Sequence, residues 1–443
     1  MLHKLAGVRQ KISPNLRKVI GNTGWLFTEK IVQMILGLLV GVWITRYLGP
    51  DRFGRFNYAI AIVGLFLPVA KLGLDSIVIR NLARNPTSKD ETLGTAFLLK
   101  LIGSSLVFCI TLGVVIFSTP SGNPNFRETV MLVGIVATGT ILQTFEIIDF
   151  WFQSQVQSKY SVLARNTAYV LINGVKIGLI QLGAPLIAFA IAMVAEYALA
   201  GIGLIVAYRL QGNFLKAWQV NFRYAKTLLN DSWPLILSGI VIMIYMRIDQ
   251  VMLGQMVGEK SVGIYSAAVK ISELWYFVPN AIVNSVFPSI VQAKEISEEV
   301  YYKRIQKLLN VVAVLAYLVA IPVTFLAPWI VTLLYGKSYA EAGPILNMHI
   351  WAGLFVSLGL ARSSWIITEG LMKFSAATTA IGAVINIILN YLLIDKYGGL
   401  GAAIATVVAQ IFASYAAHAF YPQTRKMFIL QTKAITLLGL VGR

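Results

Sequence analysis

Fifteen ionisable side chains sit inside long apolar stretches of this 443-residue chain: Glu29, Lys30, Lys71, Asp75, Lys100, Glu146, Asp149, Arg165, Lys176, Glu196, Arg247, Asp249, Lys270, Glu273 and Arg362. Even on the milder insertion scale a charge at the centre of a bilayer costs ~2.5–3.5 kcal/mol. A dozen of them facing lipid would cost roughly 30–40 kcal/mol, more than the net stability of a folded domain. Most must therefore face a shared polar interior, for which a water-filled cavity is the economical form. Spacing decides which can pair on one helix. Lys71 and Asp75 are four apart and Lys270 and Glu273 three apart, so each pair can neutralise itself. Glu146 and Asp149 are three apart but carry the same sign; two close carboxylates raise one pKa, so the pair is either a proton carrier or simply solvated near the cytoplasmic interface. Arg165, Tyr169, Asn173 and Lys176 form one polar stripe without an acid of its own. That stripe calls for an anionic ligand, or for carboxylates such as Glu146 on a neighbouring helix. Arg247 and Asp249, two apart, point to different faces and cannot satisfy each other.

Other chemistries find no residues to carry them. His349 and His418 stand alone, and no His/Cys/Asp/Glu grouping has metal-ligand spacing. Cys109 is the single cysteine and lies mid-span, which leaves no disulfide framework. There is no P-loop and no motif for glycosyl transfer or hydrolysis. We expect no catalytic residue, no metal and no cofactor. Trp275, Tyr276, Trp351 and Trp365 could stack on sugar rings, although anchoring at the interface is the usual role of membrane Trp and Tyr.

The elements that hold these charges follow from composition. Apolar residues make up 57% of the chain, charged residues 13%, and the mean hydropathy is +0.72, against about 25% charged in soluble domains. The reading is an all-α polytopic membrane protein of about twelve spans, near 22–46, 54–78, 93–117, 129–152, 161–182 and 185–209, then 232–254, 262–288, 308–334, 344–368, 375–394 and 400–421. The net charge of +18 is spread over the loops between spans and not gathered in one patch, which argues against a nucleic-acid partner. Roughly twenty Lys and Arg fall on the side of both termini and about six on the other, so both termini are expected in the cytoplasm. The first twenty residues are basic and lack the apolar core and cleavage site of a removed signal peptide. No outward loop exceeds about a dozen residues, too little for an external catalytic domain.

Two stretches repeat. Gly49-Pro-Asp-Arg-Phe-Gly54-Arg-Phe56-Asn-Tyr-Ala59 and Gly258-Glu-Lys-Ser-Val-Gly263-Ile-Tyr265-Ser-Ala-Ala268 share one pattern of glycine, glycine, aromatic and alanine, 209 residues apart. Lys159-Tyr-Ser161 is echoed by Lys373-Phe-Ser375. The chain thus divides into two parallel six-span halves, as in transporters with two like halves. The expected segments are 1–21 (basic, cytoplasmic), 22–209 (first bundle), 210–231 (linker), 232–421 (second bundle) and 422–443 (cytoplasmic tail). The linker mixes Lys216, Arg223 and Lys226 with Phe214, Trp218, Phe222 and Tyr224, which suits an amphipathic segment on the membrane surface, and the tail could lie there too.

The stretch from Tyr47 to Ala59, Leu72-Gly-Leu-Asp75, and Met246-Arg-Ile-Asp249 to Gly254 resemble the polysaccharide flippase family. Gly399 to Thr406 resembles that family's last span. The family belongs to the multidrug/oligosaccharidyl-lipid/polysaccharide exporter superfamily. The resemblance implies two pseudo-symmetric six-helix bundles around a central cavity lined by spans one, two, seven and eight. It implies alternating-access movement of an undecaprenyl-pyrophosphate-linked oligosaccharide across the bacterial inner membrane, for O-antigen or other surface polysaccharide, alongside a polymerase and other assembly proteins. Lys30, Lys71, Arg247 and Lys270 fall on those four spans and are the expected pyrophosphate ligands. Asp75, Glu146, Asp149, Asp249 and Glu273 would set their charge or couple an ion. The alternatives are a cation-coupled drug or metabolite exporter of the same superfamily, or a membrane-embedded glycosyltransferase or ligase.

Overall fold

The computed structural model describes residues 14–118 and 125–441. Most of the basic N-terminal segment lies outside them. Among the described residues every regular element is helical. The labels used below are α1 (Pro14–Lys71), α2 (Leu74–Arg84), α3 (Lys89–Ser118), α4 (Phe126–Leu142), α5 (Ile147–Ser154), α6 (Lys159–Gln181), α7 (Leu186–Leu210) and α8 (Phe222–Met256). They continue with α9 (Glu259–Glu273), α10 (Phe277–Ile296), α11 (Glu298–Tyr335), α12 (Ala342–His349), α13 (Ala352–Thr368), α14 (Met372–Tyr397), α15 (Gly399–Ile411), α16 (Ala417–Phe420) and α17 (Arg425–Ile435).

Ten helical stretches among the described residues are long and apolar enough to cross a membrane. The first, Gly21–Arg84, has 64 residues, about 96 Å at helical rise and far more than a ~30 Å core needs. It makes two crossings because Gly49 breaks α1 at φ 68, ψ 172, a backbone conformation open to glycine alone. The helix α6 has 23 residues, enough to span by length, and is not among the ten. Counting the two arms of the first stretch separately and adding α6 gives helices at the twelve positions read from the sequence.

The chain forms two compact units, one of residues 1–44 and 62–240, the other of 45–61 and 241–443. In the first, α6 lies along α7, α3 along α4, and α4 along α7. Its core gathers Leu74, Val78, Leu82, Leu93, Ile147, Phe152, Leu204 and Tyr208. In the second, α14 lies along α15 and α11 along α10, α12 and α13, around Leu309, Val312, Leu358, Trp365 and Met427.

Two segments outside the bundles are held by side chains. The linker is pinned to the first unit: Trp218 Nε1 donates to Tyr208 Oη (3.2 Å), and Asn221 Nδ2 donates to Glu91 Oε1 (2.6 Å). Only part of its aromatic set stays exposed, chiefly Phe214 and Phe222. The tail packs on the second unit. Met427, Gln431 and Ala434 of α17 are buried in the second unit. Side chains of α11 hold the tail's backbone, with Gln306 Nε2 on Leu430 O (3.1 Å), Tyr317 Oη on Ile435 O (2.8 Å) and Asn310 Nδ2 on Gly439 O (2.8 Å). Carbonyls turned away from water need such partners.

Candidate functional site

In the first unit the buried charges neutralise one another. Arg165 grips Glu29 with two bonds, Nε to Oε1 at 2.7 Å and Nη2 to Oε2 at 2.9 Å, and its Nη1 donates to Asp149 Oδ2. Gln33 and Gln153 donate to the same two acids. A planar guanidinium can serve two carboxylates in this way where an ammonium could not. About three turns along the stripe, Lys176 Nζ meets Glu196 Oε2 at 2.9 Å. The stripe on α6 is therefore not an open cationic surface. Its partners are Glu29, Asp149 and Glu196, on three other helices, and Asp149 is no longer one of two free like charges beside Glu146. Glu146 sits in the 3₁₀ turn Gln143–Glu146 and faces, with Arg165 and Tyr197, a cavity of about 20 Å³, room for roughly one water.

Lys71 and Asp75 do meet, at 4.0 Å and half-exposed, but not along an unbroken helix. Leu72 (φ 52) and Gly73 (φ 60) stop α1, and a Cβ on Gly73 would lie 2.8 Å from Leu235 Cβ. The break lets Lys100, a buried lysine of α3, approach Asp75 more closely (3.5 Å) while its Nζ sits 4.7 Å above the Phe150 ring. Lys30 is exposed and joins no ion pair among the described residues.

The second unit is built on a different plan. Asp249 on α8 is buried, and none of the ion pairs among the described residues includes it. Three neutral groups hold it instead: Tyr265 Oη and Thr406 Oγ1 each donate to Oδ2 at 2.6 Å, and Asn390 Nδ2 donates to Oδ1 at 2.6 Å. Asn386 Oδ1 accepts from Asn390 Nδ2 at 3.1 Å. Asn390 Oδ1 and Asn386 Nδ2 are buried without partners. One carboxylate surrounded by amide and hydroxyl oxygens suits a proton or a hard monovalent cation, and not the soft or imidazole-seeking metals. Arg247, half-buried, also joins no ion pair among the described residues. The pairing of Lys270 with Glu273 that their spacing allows is not the contact found: the Lys270 ammonium lies 4.4 Å over the Phe53 ring. Arg362, also buried, spends its guanidinium on Ala413 O (2.9 Å) and His418 Nε2 (3.1 Å).

Sequence spacing missed the Asp249 cage because three of its members are uncharged. Two signals were present: Asn386 and Asn390 are four apart on one face of α14, and the repeat has Tyr265 where its first copy has Phe56.

The architecture is that of the transporters of the multidrug/oligosaccharidyl-lipid/polysaccharide superfamily. The solved lipid II flippase MurJ in an inward closed conformation superposes with a TM-score of 0.71 at 16% identity, over 95% of this chain and 92% of that one. An inward-facing multidrug resistance MATE transporter gives 0.70 at 15%, over 93% and 96%. Residues 19–294 match the model of the polysaccharide biosynthesis protein family, and the chain belongs to that family. Residues 234–392 also match the MatE model. Among relatives, the capsular polysaccharide biosynthesis protein CapF of Staphylococcus aureus is 21% identical over 91% of this chain and 99% of its own length. A putative O-antigen transporter of Shigella flexneri is 24% identical over 87% and 94%. The probable low-salt glycan biosynthesis flippase Agl15 of Haloferax volcanii is 23% identical over 87% and 79%.

Proposed function

We propose that the chain is a flippase for a lipid-linked oligosaccharide, carried on undecaprenyl pyrophosphate from the cytoplasmic to the periplasmic leaflet for surface-polysaccharide assembly. It works by alternating access of its two six-span halves, 22–209 and 232–421, and catalyses no bond change. It resides in the bacterial inner membrane with both termini cytoplasmic, and hands its cargo to a polymerase and other assembly proteins. Family membership supports the cargo class. The observation that carries the site is that Lys30 and Arg247, inside spans, join no ion pair among the described residues, whereas Lys100, Arg165 and Lys176 are all paired. An unpaired cation in a span is costly unless an anion visits it. Lys30, Lys71, Arg247 and Lys270 are its pyrophosphate ligands.

Of the acids, Asp249 is the best placed to exchange a proton or cation, because no internal cation holds its charge. Asp149, fixed by Arg165, is not suited to that part, and Asp75, Glu146 and Glu273 tune the field around the lysines and arginines. A pyrophosphate diester carries about two negative charges, and each is worth ~2.3 kcal/mol per 100 mV, so an inside-negative potential drives it outward by roughly 4–5 kcal/mol. The bound ion then serves to reset the empty carrier.

The MatE match favours a second reading, a cation-coupled exporter of drugs or metabolites. Proteoliposomes that translocate a lipid-linked oligosaccharide but do not extrude cationic dye support the flippase; dye extrusion without lipid translocation supports the exporter. The orientation has its own check. In a Cys109→Ser background, Asp51→Cys and Glu259→Cys should react with an impermeant thiol reagent from outside, and reaction only after permeabilisation contradicts it.

A further inference from the structure

The repeated glycines meet. The first of each copy does the same backbone work: Gly49 (φ 68, ψ 172) and Gly258 (φ 115, ψ 170) each turn the chain from one span into the next. The second of each copy, Gly54 and Gly263, packs on the other copy. A Cβ on Gly54 would lie 1.7 Å from Glu259 O, and a Cβ on Gly263 would lie 2.0 Å from Pro50 O, both far inside the 3.0 Å that real Cβ contacts respect. Pro50 directly follows Gly49 and Glu259 directly follows Gly258, so the contact is reciprocal, backbone on backbone, between the start of span two and the start of span eight. Only glycine permits this approach. Around it Arg55 Nε lies 3.7 Å from Glu259 Oε2. Phe53 is buried edge-on against Tyr339 (6.3 Å between centroids), and Tyr339 Oη donates to Thr45 O at 2.8 Å. Tyr58 fills the space beside Gly254.

We infer that Gly54 and Gly263 form the outer closure of the transporter, a seal that parts each time cargo leaves toward the outer leaflet. The inference rests on the flippase reading and its orientation. Both glycine turns lie on the face poor in Lys and Arg, and cargo leaving between spans one, two, seven and eight must pass between them. A seal without side chains shuts completely and parts without unthreading any. It also explains why the second glycine recurs in both halves when the aromatic two residues later does not stay constant.

The test uses the full chain in proteoliposomes, with Cys109 replaced by Ser. With Arg55→Cys and Glu259→Cys together, oxidation should form a crosslink and abolish flipping, and reductant should restore it. A crosslink that leaves flipping intact, or a pair that never crosslinks, overturns the closure. Independently, Gly54→Ala or Gly263→Ala should hold the seal apart. A cysteine at the fully buried Ala59 should then react several-fold faster with an impermeant thiol reagent from outside than it does beside the native glycines. Unchanged reactivity in folded variants overturns the inference. This readout needs no cargo, so it stands or falls separately from the identity of the lipid moved.

Discussion

The two units treat a buried carboxylate in opposite ways. The first surrounds Glu29, Asp149 and Glu196 with permanent internal cations, Arg165 and Lys176. The second leaves Asp249 to a tyrosine, a threonine and an asparagine. Where a guanidinium supplies the counter-charge, the charge state is fixed at any pH the protein meets, because arginine does not give up its proton. Where hydroxyls and amides supply the hydrogen bonds, the charge can be met from outside by a proton or a small cation. One unit thus fixes its carboxylates with internal cations, and the other holds one with neutral groups alone. The repeat marks the divergence: Phe56 in the first copy cannot donate a hydrogen bond, and Tyr265 in the second donates one to Asp249.

The largest expected effect attacks the internal cations. Arg165→Ala strands two buried acids, and removing one partner of a buried ion pair costs about 3–5 kcal/mol. The variant should accumulate poorly in membranes and unfold at clearly lower temperature in detergent. Wild-type melting would mean that water already reaches the Glu29 and Asp149 carboxylates. A second change separates charge from shape. Asp249→Asn keeps the side-chain size; with its oxygen toward Tyr265 and Thr406, and its amide nitrogen toward an Asn390 turned over to present Oδ1, it can keep all three contacts, so stability should move by no more than about 1 kcal/mol. Flipping under an imposed ion gradient should nevertheless lose its dependence on that gradient; a retained dependence places coupling elsewhere. The smallest effect belongs to Lys71→Ala. Its pair with Asp75 is half-exposed and Lys100 stands ready as a substitute, so the stability change should stay within about 0–1 kcal/mol. A larger fall in melting temperature would show that Lys71, not Lys100, holds Asp75.

The long helices and the turn glycines were legible in the sequence because apolar length and turn glycines are local signals. The helix face on α6 was legible as well, but its partners were not. Glu29 is 136 residues from Arg165, and spacing along one helix says nothing of what a neighbouring helix presents. Lys71 and Asp75 met as their spacing suggested although the helix between them breaks, a break that Leu72 gave no sign of. Lys270 lies on an aromatic face instead of on Glu273, since Phe53 comes from a distant span. The packing of the tail was not legible either: Gln306, Asn310 and Tyr317, four and seven residues apart on one long helix, satisfy its backbone.

The most direct test of the cargo site measures translocation of an undecaprenyl-pyrophosphate-linked oligosaccharide in proteoliposomes under an inside-negative potential. Wild type, Lys30→Ala, Arg247→Ala and Arg247→Lys are compared at equal amounts of inserted protein. The expected result is loss of flipping in both alanine variants and partial activity in Arg247→Lys, where the charge stays but the bidentate fork is gone. Alanine variants that flip the lipid at the wild-type rate would contradict the assignment of these two unpaired cations to the pyrophosphate.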